Sequence, residues 1–432
     1  AGGSSGDRRQ GADAVTVLTV YLVLLCAVPS ELTITALGSV GRPATLWGLA
    51  CAAWWLWATL QRPWPADRPR SPVRVALAVV LAVALLSYAL AQLHGLPPGE
   101  VSPADSGLLR LVSWSGVALV ATDGIRDRQR WHTLLRRVVV AGSVVAALGV
   151  AQSLTGRSLI PNVALPGFSG DPGLGEVQSR GEFVRASATA SHPLEYAVVL
   201  SSALPLAVTF ALERARRSRV GPWLGSGLLA LASVVSVSRS AIVGLIVGLA
   251  PLVSTWSRTV RRVAVVVGVG MVATLYVLVP GILGTVRGLF SSVGADPSTL
   301  SRTSSYGTAL QIAAHDPVTG RGFGTFLPQY RILDNQYLLL LVELGALGLA
   351  AFAGLLVTTI TCVIQAERSA TERLDRQLAR ALLGSLLAAA VLFAFFDALT
   401  FPMAAGMLFL LVGLSGAAHT VLRGDGAVRP PR

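Results

Sequence analysis

Four short stretches of this chain carry residue types that can do chemistry. The first is Arg185-Ala186-Ser187-Ala188-Thr189-Ala190-Ser191-His192-Pro193. The second is Ser238-Arg239-Ser240, a tight turn between two apolar runs. The third begins with Arg302 and Tyr306 and continues to His315-Asp316-Pro317-Val318-Thr319-Gly320-Arg321-Gly322-Phe323-Gly324. The fourth is Asp334-Asn335, followed by nine residues and then Gly345-Ala346-Leu347-Gly348. Arginine offers a planar fork of N–H donors that matches two non-bridging phosphate oxygens. Aspartate and histidine can take a proton from a hydroxyl. Together these types suit the handling of a phosphorylated substrate. Arg239, Arg302, Asp334, His192 and His315 are the candidate catalytic residues, and Arg185, Tyr306, Arg321 and Asn335 join Arg239 and Arg302 as candidate binding residues.

Each feature also has a structural reading. Arg239, flanked by apolar sequence, could simply snorkel to an interface. Arg185 could tether a loop, and His192 before Pro193 could only start a helix. His315-Asp316-Pro317 could be a plain turn. Asp334, just before a long apolar run, is placed to cap a helix N-terminus. Glu343, further along that run, is an acid inside an apolar segment, suited to pairing with an arginine or lining a cavity. The chain has no Asp-x-Asp pair, no His/Cys cluster with metal spacing, no P-loop and no Gly-x-Ser-x-Gly elbow. No metal and no cofactor is therefore expected, and arginines would have to neutralise phosphate charge.

The elements that must position these residues are membrane helices. Of 432 residues, 53% are hydrophobic and 13% charged, and the mean hydropathy is +0.64. A soluble domain of this length needs more charge to cover its surface. The predicted helices are Ala14–Thr35, Pro43–Leu60, Val73–His94, Gly107–Ala121, Thr133–Leu154, Pro193–Leu212, Pro222–Val237, Ala241–Thr255, Val263–Leu283, Asn335–Ile364, Leu378–Ala398 and Pro402–Leu422. The expectation is an all-α polytopic membrane protein with about twelve transmembrane helices. A tail at 1–13, disordered or appended, precedes a single membrane domain at 14–422, and 423–432 form a cytoplasmic tail. Cys26, Cys51 and Cys362 all lie inside apolar runs and read as small buried hydrophobes.

The net charge of +13 comes from arginine alone, since lysine is absent. The arginines are parcelled out between apolar runs, which points to a lipid bilayer and not to nucleic acid. With both termini cytoplasmic, 25 of the 35 arginines fall in inner segments, as the orientation rule requires. Eight of the ten outer ones lie between the fifth and tenth helices: Arg157, Arg180, Arg185, Arg239, Arg287, Arg302, Arg321 and Arg331. Cations retained there against that rule suggest an anionic ligand. Two outer loops are long, about 155–192 and 284–334. The first is rich in Pro and Gly and reads as largely irregular. The second contains a predicted helix, Ser301–Ala314, and a tight turn at Gly320, Gly322 and Gly324.

The ordered set of motifs resembles the O-antigen ligase and O-antigen polymerase superfamily of bacterial membrane enzymes. In the ligases the late signature reads His, then Asn, Ser or Gln, nine residues, Gly, two residues, and Gly, Thr or Tyr. Here Asp334, Asn335, Gly345 and Gly348 stand at those positions. Ser238-Arg239 looks like the family's first essential arginine and Arg302 like its second. The resemblance implies a fold similar to the C-type membrane glycosyltransferases, in the cytoplasmic membrane of a bacterium with the site facing outward. It implies transfer of a glycan from a polyprenyl-diphosphate carrier, such as undecaprenyl diphosphate, to an acceptor hydroxyl on a glycan or lipid-linked glycan. The reaction would be inverting and metal-independent, with Arg239 and Arg302 on the diphosphate. Asp334 replaces the family's histidine. A carboxylate can act as base but cannot bear positive charge against a diphosphate, so the base is Asp334, His192 or His315. The rival readings are a multi-pass transporter or lipid-linked glycan flippase, and a non-catalytic glycan-binding scaffold.

Overall fold

The computed structural model describes residues 13–61, 71–157, 159, 166–170, 179–180, 183–184, 186–214, 223–236, 238–278 and 306–427. Among them, twelve helices form the bulk of the molecule: α1 (Ala14–Ala27), α2 (Pro43–Gln61), α3 (Pro72–His94), α4 (Pro98–Gly124), α5 (Arg128–Thr155), α6 (Pro193–Arg214), α7 (Trp223–Val235), α8 (Arg239–Val253), α9 (Arg258–Leu278), α10 (Gln336–Ser369), α11 (Arg373–Leu392) and α12 (Pro402–Ala427). A short helix at 306–313 falls within the predicted Ser301–Ala314.

Among the described residues, five helices are long and apolar enough to cross a membrane: α3, α5, α6, α10 and α12. Three shorter apolar helices correspond to α1, α7 and α8. The protein is thus a helical membrane protein. α6 and α12 are almost wholly buried, whereas α3, α5 and α10 bury only part of their surface. Their outward faces carry Val75, Val79, Leu85, Val140, Val144 and Val357, as helices facing lipid should. Glycines bring the central helices together, since small residues let backbones approach closely. A Cβ on Gly413 of α12 would lie 2.7 Å from the Ala118 carbonyl oxygen of α4. A Cβ on Gly244 of α8 would lie 2.6 Å from Ser201 Oγ of α6 and 2.9 Å from Leu392 of α11.

Several boundaries differ from those expected. α1 stops at Ala27, well short of Thr35, because Pro29 lacks an N–H and disfavours helix at Val28. The chain then runs as strand β1 (Thr33–Ile34), which pairs antiparallel with β2 (Phe168–Ser169), and as a 3-10 turn, Thr35–Val40. A second ribbon pairs β3 (Ser179–Arg180) with β4 (Phe183–Val184). The first long loop is therefore largely irregular with short strands in it, and the chain is not wholly helical. α4 begins nine residues before the predicted Gly107, with Pro103 inside it. α11 ends at Leu392 instead of Ala398.

The two ends of the bundle are chemically distinct. At one end Arg128 of α5 pairs with Glu372 and, at 3.0 Å, with Asp375 of α11. His132 Nε2 lies 2.6 Å from Asp375, whose side chain is fully buried. Arg74 and Trp55 both reach Asp123, and Arg130 pairs with Asp13. The loops form the opposite end, where Ser30 N–H donates to the Thr189 carbonyl at 2.9 Å and Thr35 N–H to that of Gly167 at 3.0 Å. α6, α8, α10 and α12 all start at this loop end.

Candidate active site at the loop end

α10 begins in a way the sequence only half reveals. Its N-cap is Asn335, not Asp334: the Asn335 side chain accepts from the Tyr337 N–H at 3.0 Å and the Leu338 N–H at 3.3 Å. A cap accepts free N–H groups of the first turn, and the residue one step earlier is relieved of that task. Asp334 is half-buried and lies within electrostatic range of Asp397.

Three turns further on, α10 is broken at Gly345, whose φ of 65° and ψ of −166° only glycine adopts readily. The segment Pro317–Gly322 fills the break. Arg321 N–H donates to the Val342 carbonyl at 3.2 Å and Gly322 N–H to that of Glu343 at 2.9 Å. In return, Ala346 N–H donates to the Pro317 carbonyl at 2.8 Å and Leu347 N–H to that of Val318 at 3.1 Å. Ser87 Oγ of α3 donates to the Thr319 carbonyl at 2.7 Å. A side chain on Gly345 would collide with Val318, and one on Gly320 with Glu343. The turn at Gly320, Gly322 and Gly324, all with positive φ, and the glycine of the late signature are thus two halves of one junction. The junction buries Glu343, which accepts from the Phe326 N–H at 3.3 Å and lies within electrostatic range of Arg110 of α4 and of Asp397.

Asp397 sits between α11 and α12, one residue before a 3-10 turn, Ala398–Thr400. Burial pushes its carboxyl up to about 6, and the neighbouring Asp334 adds to the rise, against hydrogen bonds from its own N–H and from Thr400. Two carboxylates near one another disfavour double ionisation. Gln336 ties their two segments together: its N–H donates to the Phe393 carbonyl at 2.9 Å, and its side-chain oxygen accepts from the Leu399 N–H at 2.7 Å. His192 faces the same loop. Its ring lies 6.5 Å from that of Phe396 and 5.5 Å from that of Phe401. Its Nδ1 accepts from the Leu194 N–H at 3.1 Å, so a neutral ring carries its proton on Nε2 and acts there as a donor. Beneath it, buried Glu195 accepts from the backbone N–H groups of Ser191 and Met403 and from the hydroxyls of Ser191 and Ser30. Those four bonds fasten the starts of α6 and α12 to the segment after α1.

α8 starts beside this group. Ser238 caps it by accepting from the Ala241 N–H at 3.4 Å. Gly244 packs on Leu392, so at about 1.5 Å rise per residue the Arg239 backbone stands near the level of the Phe393–Asp397 loop. The Arg239 side chain, Arg185 and Arg302 lie outside the described residues. Tyr306 is exposed. His315 is exposed too, and its Nδ1 lies 3.0 Å from the Gln311 carbonyl. Arg321 is engaged structurally: it pairs at 2.9 Å with buried Glu100, which also accepts from the Tyr330 hydroxyl at 2.6 Å. Its guanidinium lies 5.3 Å from the Tyr330 ring centroid.

The structure therefore places His192 against the Phe393–Phe401 loop that carries Asp397, with Asp334 within electrostatic range of Asp397, and leaves Tyr306 and His315 exposed at opposite ends of the short helix 306–313. Among the described residues no group of three His, Cys, Asp or Glu side chains is placed to hold a metal. Asp397 is the residue the sequence reading missed. The predicted helix Leu378–Ala398 ran over it, yet an acid between Phe396 and Phe401 at a helix end had the same signal as Arg239.

Fold and site define a multi-pass helical membrane protein with a carboxylate-bearing polar site at one end of its bundle. Residues 224–353 match the family model described as O-antigen ligase, a likeness that supports kinship with the O-antigen ligase and polymerase superfamily over that stretch. The match runs from α7 to beyond the break in α10 and includes Arg239, Arg302, Asp334 and Asn335, while His192 and Asp397 fall outside it. It supports membrane glycan transfer of the ligase or polymerase type. No curated protein matches the chain.

Proposed function

We propose that the protein transfers a glycan from a polyprenyl-diphosphate carrier to an acceptor hydroxyl, with inversion and without a metal, on the outer face of a bacterial cytoplasmic membrane. The observation that carries this reading is half-buried Asp397, within electrostatic range of Asp334, on the loop that the start of α8 faces, where Arg239 stands. The acceptor hydroxyl gives its proton to the carboxylate pair as its oxygen attacks the anomeric carbon. The bond from that carbon to the diphosphate oxygen breaks, and the carrier leaves with the electron pair. Positioned proton acceptors contribute about 10²–10⁴-fold in such steps. Arg239 and Arg302 neutralise the departing diphosphate, helped by the positive end of α8. His192, through Nε2–H, orients the acceptor.

The test uses purified protein, a polyprenyl-diphosphate-linked oligosaccharide, an acceptor and a chelator, with released carrier diphosphate as the readout. Arg239→Ala and Arg302→Ala are expected to lose release at least a hundredfold while remaining folded. Undiminished release in both would remove the proposed phosphate site. Product length separates a ligase from a polymerase.

A further inference from the structure

We infer that Arg42 and Arg110 form a second oxyanion subsite, which receives a phosphate-type group on the acceptor. This rests on the transfer reaction proposed above. Arg42 precedes α2 and donates from Nε to the Ser30 carbonyl at 3.0 Å and from Nη1 to that of Ser39 at 3.3 Å. Arg110 donates from Nε to the Ser106 carbonyl at 3.3 Å. Ser39 Oγ and Ser106 Oγ are themselves hydrogen-bonded at 2.7 Å, so the two anchors share one junction and the two guanidinium groups are held within electrostatic range of each other. Both arginines are half-buried.

Neither arginine makes an ion pair with a carboxylate among the described residues. The Nη2 of Arg42 and both Nη groups of Arg110 make no hydrogen bond there. Three acids lie within electrostatic range: Glu31 and Glu195 of Arg42, and Glu343 of Arg110. Glu195 already accepts four hydrogen bonds, and Glu343 is bonded to the Phe326 N–H. Two like charges held within electrostatic range of each other with donors to spare repel one another, and a dianionic oxyanion relieves that repulsion while accepting the free N–H groups.

Position identifies the ligand as the acceptor's. Arg110 lies within electrostatic range of Glu343, Glu343 of Asp397, and Asp397 of Asp334. α4 packs on α12, and α8 on α11 and α6, so α12 and α11 separate Arg110 from Arg239. The carboxylate pair thus stands between two cationic places. With the donor diphosphate at Arg239, the other side is left for the molecule that supplies the hydroxyl.

The experiment measures binding of radiolabelled inorganic pyrophosphate to the full chain in phosphatidylcholine nanodiscs, with thermal unfolding to verify folding. Two binding events per chain are expected. Arg110→Gln and Arg42→Gln should each weaken one event at least tenfold and leave the other. Arg239→Ala should do the converse. Should Arg110→Gln fail to fold, Arg110→Lys carries the test, because a point charge lacks the bidentate fork; severalfold weakening supports the subsite, and unchanged affinity overturns it. Two events that persist in Arg110→Gln also overturn it. Loss of the Arg110-dependent event in phosphatidylglycerol nanodiscs would assign the place to a lipid headgroup and overturn the acceptor assignment. Persistence of both events in Arg239→Ala would sink the donor site while leaving this one.

Discussion

A carboxyl held near pH 6 by burial and by a second carboxylate has a direct kinetic consequence. The base form of Asp397 disappears as pH falls through about 6, so release should drop about tenfold per pH unit below that value. Asp397→Asn should abolish the inflection and lower the plateau at least a hundredfold. A profile unchanged in that variant would return the base role to Asp334 or His192. Here the sequence was partly legible. Arg239, His192 and Asp334 stood out because polar groups at the ends of apolar runs need a reason to be there. Asp397 carried the same signal, but the boundary of α11 hid it. The cap could not be assigned either, since Asp334 and Asn335 are both good caps and adjacent; only geometry shows that Asn335 takes the role.

At the scale of elements, the junction between α10 and Pro317–Gly322 governs where Glu343 and the start of α10 sit. Gly345→Ala should destabilise the protein by about 1–3 kcal/mol, from a strained positive φ and from the collision with Val318. Thermal unfolding in detergent measures it, and a midpoint equal to wild type would show that the break tolerates a side chain. Asn335→Ala should cost about 1 kcal/mol through loss of the cap, with a smaller shift in the same assay. The spacing of Gly320 and Gly345 marked both as turns or close approaches. That they meet was not readable, because nothing in sequence periodicity relates a loop to a helix 25 residues later. The helices themselves were legible where apolar runs ended at charges. They failed where a proline intervened, as after α1, or where a polar start such as Pro98–Ser106 continued an apolar helix.

For the whole molecule, the proposed chemistry lies at the loop end, and a buried ion-pair group lies at the other. The Arg128, His132 and Asp375 group joins α5 to α11 with the acid fully buried. Asp375→Ala removes the buried acid that Arg128 and His132 share, while Arg128 keeps Glu372, and should cost about 1–3 kcal/mol, read as a lowered unfolding midpoint. Turnover by the molecules that remain folded should be near wild type, and a loss of turnover at full stability would mean that the two ends are coupled. The orientation of the chain was proposed from its arginines, whose inner clusters coincide with this ion-paired end.

The exchange of four backbone hydrogen bonds across the break in α10 gives the protein an internal gauge. The amide protons of Ala346 and Leu347 are shielded by carbonyls of the loop segment, not by the preceding turn of their own helix. Their hydrogen–deuterium exchange therefore reports whether that segment is seated, while amides deeper in α10 report the helix alone. Slowed exchange at those two positions on adding substrate would register the seating of the loop from within a single helix.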